Sequence, residues 1–453
     1  MSSKSRYIHV NAFNMNCVGH IHHGLWTHPR DRSTEYHTLK YWTDIAQILE
    51  KGLFDSLFLA DVIGYYDVYG QSVDVTLREA VQLPANNPWL LVSAMAAVTR
   101  NLGFGVTATI GAENPYTFAR NVTTLDQLSQ GRIGWNIVTG YVDSGARGLG
   151  QDGLSAHDAR YDRADDFLEL AYKLWEGSWE DDAVVADKAR RIHADPAKVH
   201  VIAHEGPYYR SQAIHMSAPS PQRTPLLFQA GASERGQRFA ARHAEGVFIG
   251  APDPAAARAI SRRLRQAVVD AGRRPDDIKI YAGISVVPGR TEAEARDKYA
   301  EYLSHASVEG GLAHFAASTG VDFARHGPDE PIAYGQGNAI QSAVAAARQQ
   351  GWTTRAQLQE KFTSGSRHQP IVGDARQVAD ALERWIDEGE IDGFNLARLV
   401  VPESWADFAD IVVPELQNRG RYKTAYGEGS LRQQLFARGD RLPPQHPAAQ
   451  WRR

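Results

Sequence analysis

One cysteine, Cys17, stands among 453 residues. A lone thiol excludes an intrachain disulfide framework and any multi-cysteine zinc or iron–sulfur site. No apolar run approaches the length of a membrane span. The opening MSSKSRYIHVNAF lacks the apolar centre of a signal peptide, so the expected location is the cytoplasm. A formal net charge of −4 gives no signature of nucleic-acid or membrane-surface binding. No Gly-x-x-x-x-Gly-Lys-Ser/Thr phosphate loop occurs. Gly148-Leu-Gly150-Gln-Asp-Gly153 has the spacing of a dinucleotide fingerprint, but a long segment separates it from the apolar run ending at Val138. That fingerprint must follow a strand directly and open a helix, so a Rossmann site is rejected.

What is present is a regular alternation. Short β-rich runs at 7–13, 56–60, 103–110, 133–138, 225–229, 246–250, 278–286 and 393–397 alternate with helical patterns. The helical stretches are 40–51, 88–99, 116–129, 233–244, 253–271 and 376–388. Eight such runs predict an α/β fold, a TIM (β/α)8 barrel, and the length suits one large domain. Two gaps, 140–224 and 288–369, exceed ordinary βα loops and read as insertions after strands four and seven. Residues 1–418 are expected to form the domain. Residues 419–453, rich in Arg, Pro and Gln, read as a C-terminal arm lying over a neighbouring subunit.

Chemistry gathers around the segment Gly131 to Asp166. Its strand carries Asn136, then come Thr139-Gly140-Tyr141, a glycine-rich loop and a helix. Ser155-x-x-Asp158 reads as a capping box, which starts the helix near Ala156 and sets His157 and Tyr161 one turn apart. A polar strand end, a loop and a helix N-terminus make a candidate cradle for an anionic, hydrogen-bonding ligand. The alternative puts Asn136 in a turn and leaves His157 and Tyr161 to pack.

Asp61 ends strand two on the face where barrel enzymes place their chemistry, unless it is only a cap or a structural salt bridge. Thr107 and Thr109, two residues apart, project to one side of strand three. Gln229-Ala-Gly231-Ala-Ser233 leads from strand five into a helix and suits a phosphate, with a plain N-cap serine as the alternative. His20-Ile-His22-His23 follows strand one and raises a second possibility, a metal-dependent TIM-barrel hydrolase using His20 and His22. Later strands would have to complete the ligand set, and Asn136, Thr139, Gln229 and Ser233 are poor ligands. A pocket histidine is therefore favoured over a metal site or a surface cluster.

Several segments carry a resemblance. They are Asn11-Ala-Phe-Asn-Met-Asn-Cys-Val-Gly-His20, Phe54-Asp-Ser-Leu-Phe-Leu-Ala-Asp61, Thr124-Leu-Asp-Gln-Leu-Ser-Gln-Gly-Arg132 and Trp135-Asn-Ile-Val-Thr139. Further on come His157-Asp-Ala-Arg-Tyr-Asp162, Ser220-Pro-Gln-Arg-Thr-Pro225, the Gln229–Ser233 segment and Asp392-Gly-Phe-Asn395. In this order the chain resembles the flavin-dependent monooxygenases of the nitrilotriacetate, EDTA and dibenzothiophene-sulfone monooxygenase family, a luciferase-like group.

The resemblance implies FMN that arrives reduced from a separate NAD(P)H:flavin reductase, and a flavin C4a-peroxide that oxygenates the substrate. It implies flavin contacts from Asp61, Thr107, Asn136, Thr139, His157 and Tyr161, with Tyr161, Gly231 and Ser233 near the phosphate. It places Phe13, His20, Phe58 and Phe248 on the substrate side, with His314 from the second insertion; His20 and His314 are the catalytic candidates and no metal is expected. The first segment looks closest to the branch acting on organosulfur compounds and aromatic sulfones. An aminopolycarboxylate substrate is the alternative, and Ala316-Ala317-Ser318-Thr319-Gly320, less glycine-rich than the family pattern, leaves the particular substrate open. Deazaflavin F420 stays an alternative cofactor. The expected assembly is a homodimer or homotetramer.

Overall fold

All eight apolar runs are strands of one parallel closed barrel, as the alternation predicts. They are β1 (His9–Met15), β2 (Ser56–Ala60), β3 (Gly103–Thr109), β4 (Ile133–Val138), β5 (Leu226–Gln229), β6 (Gly246–Ile249), β7 (Lys279–Ile284) and β8 (Gly393–Ala397). This computed structural model describes residues 7–231, 233–334, 340–366 and 369–453. Residues 1–6, within the opening stretch read for a leader, and Ala232 of the predicted phosphate segment lie outside them.

The barrel interior explains why several wall positions are glycine. A Cβ on Gly103 would sit 2.6 Å from Leu431, and one on Gly105 2.7 Å from Phe58. On Gly134 and Gly246 it would sit 2.5 and 2.3 Å from Phe228. The bare wall leaves room for large rings. Phe58 meets Phe228 edge-on at 5.6 Å and Phe248 at 4.3 Å, the geometry aromatic quadrupoles favour.

The expected helices form the outer ring: α1 (Leu39–Lys51), α2 (Pro115–Leu128), α3 (His157–Gly177), α4 (Glu234–His243), α5 (Pro254–Asp270) and α7 (Ala375–Gly389); α6 (Val308–Thr319), in the second insertion, is not among them. Their starts are chemically marked. Thr38 accepts from Tyr41 N, and Asn114 accepts from Tyr116 N with Pro115 in the first turn. In α1, Tyr41, Trp42, Ile45, Ala46 and Leu49 form one buried stripe against the barrel. The helix predicted at 88–99 is shorter and divided, with a 3-10 turn at Pro88–Leu91 before Val92–Ala97.

Between β4 and β5 the chain adds α3 and two small hairpins, Val184–Asp187 with Ile192–Ala194 and Ile202–Glu205 with Arg210–Ala213. Between β7 and β8 it adds α6 and its neighbouring helices.

The C-terminal segment is part of the chain's own core rather than a separate arm: α8 (Leu431–Phe436) packs on the barrel's base, where Leu431 is fully buried beside Phe58, Phe228 and Tyr281. Arg432, 2% exposed, forms a two-pronged ion pair with Glu245 at 2.6 and 2.9 Å. It also donates to the carbonyls of Pro225 and Asp440. Tyr422 and Tyr426 donate to the carbonyls of Leu53 and Phe54. Arginine signals surface by composition, but a bidentate partner and satisfied donors permit its burial.

Candidate active site

The C-terminal ends of the strands carry two chemically different regions. The first is polar. Asn136 and Thr107 face each other across the β3–β4 register, and Asn136 Nδ2 donates to Thr107 Oγ1 at 2.8 Å. Both are buried, and Asn136 Oδ1 has no partner among the described residues. Asn136 is thus a strand residue with a spare acceptor, not a turn former.

Next to them opens a cleft with about 520 Å³ of empty volume, open solvent included, lined by Thr109, Thr139, Gly140, Ser155, Arg160 and Arg163 among others. Asp61 sits at the end of β2 and accepts from Val62 N at 3.0 Å. Burial lifts its carboxyl to about 6, with a further push from Glu113.

At the start of α4 the predicted phosphate residues converge. Ser233 caps the helix by accepting from Gly236 N at 3.1 Å, and its hydroxyl also lies 3.2 Å from His157 Nε2. Gly231 N donates to Gln229 Oε1 at 2.8 Å, and Gln229 Nε2 lies 3.5 Å from the Tyr161 hydroxyl. A Cβ on Gly231 or Gly236 would stand 3.0 or 2.7 Å from that hydroxyl. Glycine is required here by close approach, and the result is a concave end of N–H and O–H donors at a helix N-terminus. Burial raises the Tyr161 pKa and keeps it a protonated donor. His157 and Tyr161 pack with their rings tilted by 57° and 5.2 Å apart, one turn apart on the helix as expected. Their helix begins differently: Ala156 is the N-cap and bears no side-chain cap. Asp158 is held by His157 Nδ1 at 2.7 Å and the Ser155 carbonyl by Arg160, so the capping box does not form.

The second region is aromatic. Phe13 and Phe248 are partly exposed above the buried Phe58, and His20 meets Phe13 edge-on at 4.7 Å. Burial, followed by Arg398, His314 and His22, holds the His20 pKa far below the usual range. Burial likewise takes His22 down to about 4. His22 Nε2 lies 2.8 Å from Ser285 Oγ, and His23 Nε2 lies 3.0 Å from His314 Nδ1. Of the pair His20 and His22 weighed for a metal site, His22 is the one engaged by Ser285. Among the described residues no group of three His, Cys, Asp or Glu side chains is arranged to hold a metal ion.

Sequence reading missed several neighbours. Arg160 lies inside the HDARYD segment and could have been found there. Tyr66 and Gln82 come from irregular stretches without a pattern, whereas Tyr141 directly follows Thr139-Gly140 in the segment singled out above. Tyr66 donates to Gln82 Oε1 at 2.7 Å, pairs with the Tyr141 hydroxyl at 2.6 Å and stacks on His314 at 5.4 Å.

A luciferase-like monooxygenase family model matches residues 20–390. The dimethyl-sulfide monooxygenase of Hyphomicrobium sulfonivorans is 48% identical over 98% of this chain and 93% of that protein. The long-chain alkane monooxygenase of Geobacillus thermodenitrificans is 46% identical over 99% of this chain and 98% of that one. A crystal structure of long-chain alkane monooxygenase covers 99% of this chain and 100% of that chain, with a TM-score of 0.91. That of a riboflavin lyase with modified FMN and riboflavin, 38% identical, covers 99% and 100% with a TM-score of 0.93. No helix among the described residues is long and apolar enough to cross a membrane. Matched over most of its length by that family model and by relatives this similar, the chain belongs to the luciferase-like family and is a flavin-dependent monooxygenase.

Proposed function

We propose that this enzyme takes reduced FMN from a separate NAD(P)H:flavin reductase and oxygenates a small, uncharged organosulfur compound, a sulfide first of all. The observation that carries the substrate class is the wall around His20. Phe13, Phe58 and Phe248 form it, and His20, His22 and His23 are all held neutral by burial. The guanidinium that acts on these histidines, Arg398, is turned into Asn14 Oδ1 and the carbonyls of Cys17 and Val18. A polycarboxylate would meet little positive charge there. The similar dimethyl-sulfide and alkane monooxygenases bear names of uncharged substrates, which supports the same reading.

The polar region fits FMN. Buried Asn136 Oδ1 can accept an N–H from the edge of an isoalloxazine. Tyr161, Ser233 and the N-terminal amides of α4 can donate to a phosphate, in a cradle where Gly231 and Gly236 keep Cβ atoms out. Reduced FMN, when bound, supplies the two electrons that activate O2. The chain's own residues do the rest. The aromatic wall excludes water and orients an apolar substrate. His20, a neutral imidazole with an unengaged Nδ1, can exchange a hydrogen bond with a polar reacting atom. Dimeric or tetrameric assembly and transient contact with the reductase complete the proposal.

The test is a coupled assay with flavin reductase and NADH on dimethyl sulfide, dibenzothiophene sulfone, a long-chain alkane and nitrilotriacetate. The expected result is FMN-dependent product from the sulfide. Turnover of nitrilotriacetate alone would overturn the substrate class.

A further inference from the structure

We propose that Ser144 is a positioning residue that seals one wall of the cleft beside Asn136 and Thr107. It does so by stitching the segment after β4 to the segment after β2. The proposal rests on the reading above that this cleft receives reduced FMN.

The seam is built from backbone on both sides. Tyr65 N–H donates to Ser144 Oγ at 2.8 Å, and the same hydroxyl donates to the Tyr65 carbonyl at 2.6 Å. One serine, 3% exposed, thus satisfies both backbone groups of a residue 79 positions away. The neighbours on either side are glycines because nothing larger fits. A Cβ on Gly145 would meet the Ile63 carbonyl oxygen at 2.0 Å, and one on Gly64, at φ +128°, would stand 2.7 Å from Gly145 N. Backbone therefore lies against backbone, with no space for a side chain or a water between them. A third link between the segments, Arg147 to Asp67 at 2.6 Å, is exposed and adds little.

Both segments wall the cleft. Ile63 comes from the first, and Val142, Gly145 and Ala146 from the second. The same segments also reach the apolar cluster of Tyr66, Leu312 and Phe315, against which Val62 and Val142 pack. Neither segment is a barrel strand, and the barrel closes without them. Stability of the fold does not call for so close a fit, but chemistry that water would divert does. In a leaking cleft, FMNH2 and O2 give oxidised FMN and hydrogen peroxide, and the substrate is left untouched.

The experiment uses the full chain. Hydrogen exchange in the ligand-free protein, read by mass spectrometry on overlapping peptic fragments, should show the Tyr65 amide protected in the wild type. Ser144→Ala should speed that exchange about tenfold. By anaerobic titration the variant should bind FMNH2 within about threefold of the wild type. In the coupled assay on dimethyl sulfide it should lose about fivefold in product per NADH, the difference appearing as hydrogen peroxide. Gly145→Ala, which forces the seam apart while keeping the hydroxyl, should give the same uncoupling. Arg147→Gln should change neither exchange nor coupling. A Tyr65 amide that exchanges freely in the wild type overturns the proposal even if no variant folds. So does faster exchange in Ser144→Ala with coupling intact, which leaves the serine a purely structural link. A wild type that binds no FMNH2 overturns the flavin reading itself and the seal with it, and is seen before any variant is compared.

Discussion

Asn136 gives one amide hydrogen to Thr107 across the β3–β4 register and keeps its Oδ1 buried without a partner among the described residues. A buried unsatisfied acceptor costs about 1–3 kcal/mol, so the fold alone does not account for this pair. A ligand N–H would satisfy it. Asn136→Leu should leave the melting temperature of the ligand-free protein equal or higher. FMNH2 should bind about 10–100-fold more weakly, measured by anaerobic titration. Lower melting with unchanged affinity would make Asn136 structural.

Gly236→Ala tests the other end of the same site. The new Cβ would stand 2.7 Å from the Tyr161 hydroxyl and 3.0 Å from Ser233 Oγ. Alanine favours a helix over glycine by up to about 1 kcal/mol, which only partly offsets that clash and the 3.0 Å approach to Gly231 Cα, so the melting temperature should fall modestly. FMN affinity should fall at least about tenfold. Ser233→Asp, still an acceptable N-cap, should weaken FMN further by setting a negative charge beside the phosphate. Loss of melting temperature with affinity intact would contradict the cradle.

The places where sequence and structure part company have physical causes. Strands were legible because apolar runs bounded by turns repeat eight times, and His157 with Tyr161 because helical spacing alone pairs them. The Ser155 capping box failed because His157 and Arg160 compete for Asp158 and for the Ser155 carbonyl, a contest that spacing cannot reveal. The 419–453 segment looked like an arm because the partner that lets Arg432 be buried, Glu245, is far away in sequence. Tyr66 and Gln82 lie in loops, where no period announces a role.

Asp61 makes stability depend on pH. Burial lifts its carboxyl to about 6, against about 3.9 in an unfolded chain. The native state thus holds this proton more tightly. Its contribution is fully present below pH 4 and is lost as pH rises through 6. Asp61→Asn should therefore match the wild type near pH 4 and exceed it at pH 8, by at most about 3 kcal/mol. Denaturant unfolding of the ligand-free proteins at the two pH values checks this. A gain at pH 4 that disappears at pH 8 would contradict it.

Arg432→Met should cost about 3–5 kcal/mol, because it strands the Glu245 carboxylate in the barrel base. Adding Glu245→Gln should recover part of that loss. Urea unfolding of the single and double variants decides the matter. A loss below about 1 kcal/mol for Arg432→Met would mean that the tail is not integral to the barrel.

The central claim joins a reduced-flavin site to an uncharged aromatic chamber. Its most direct measurement is product formed per FMNH2 oxidised in a single turnover under 18O2, with dimethyl sulfide set against nitrilotriacetate. Labelled product is expected from the sulfide only. His20→Phe should cut that yield by about 10²–10³ while FMNH2 still binds and is oxidised. Labelled product from nitrilotriacetate and none from the sulfide would contradict it.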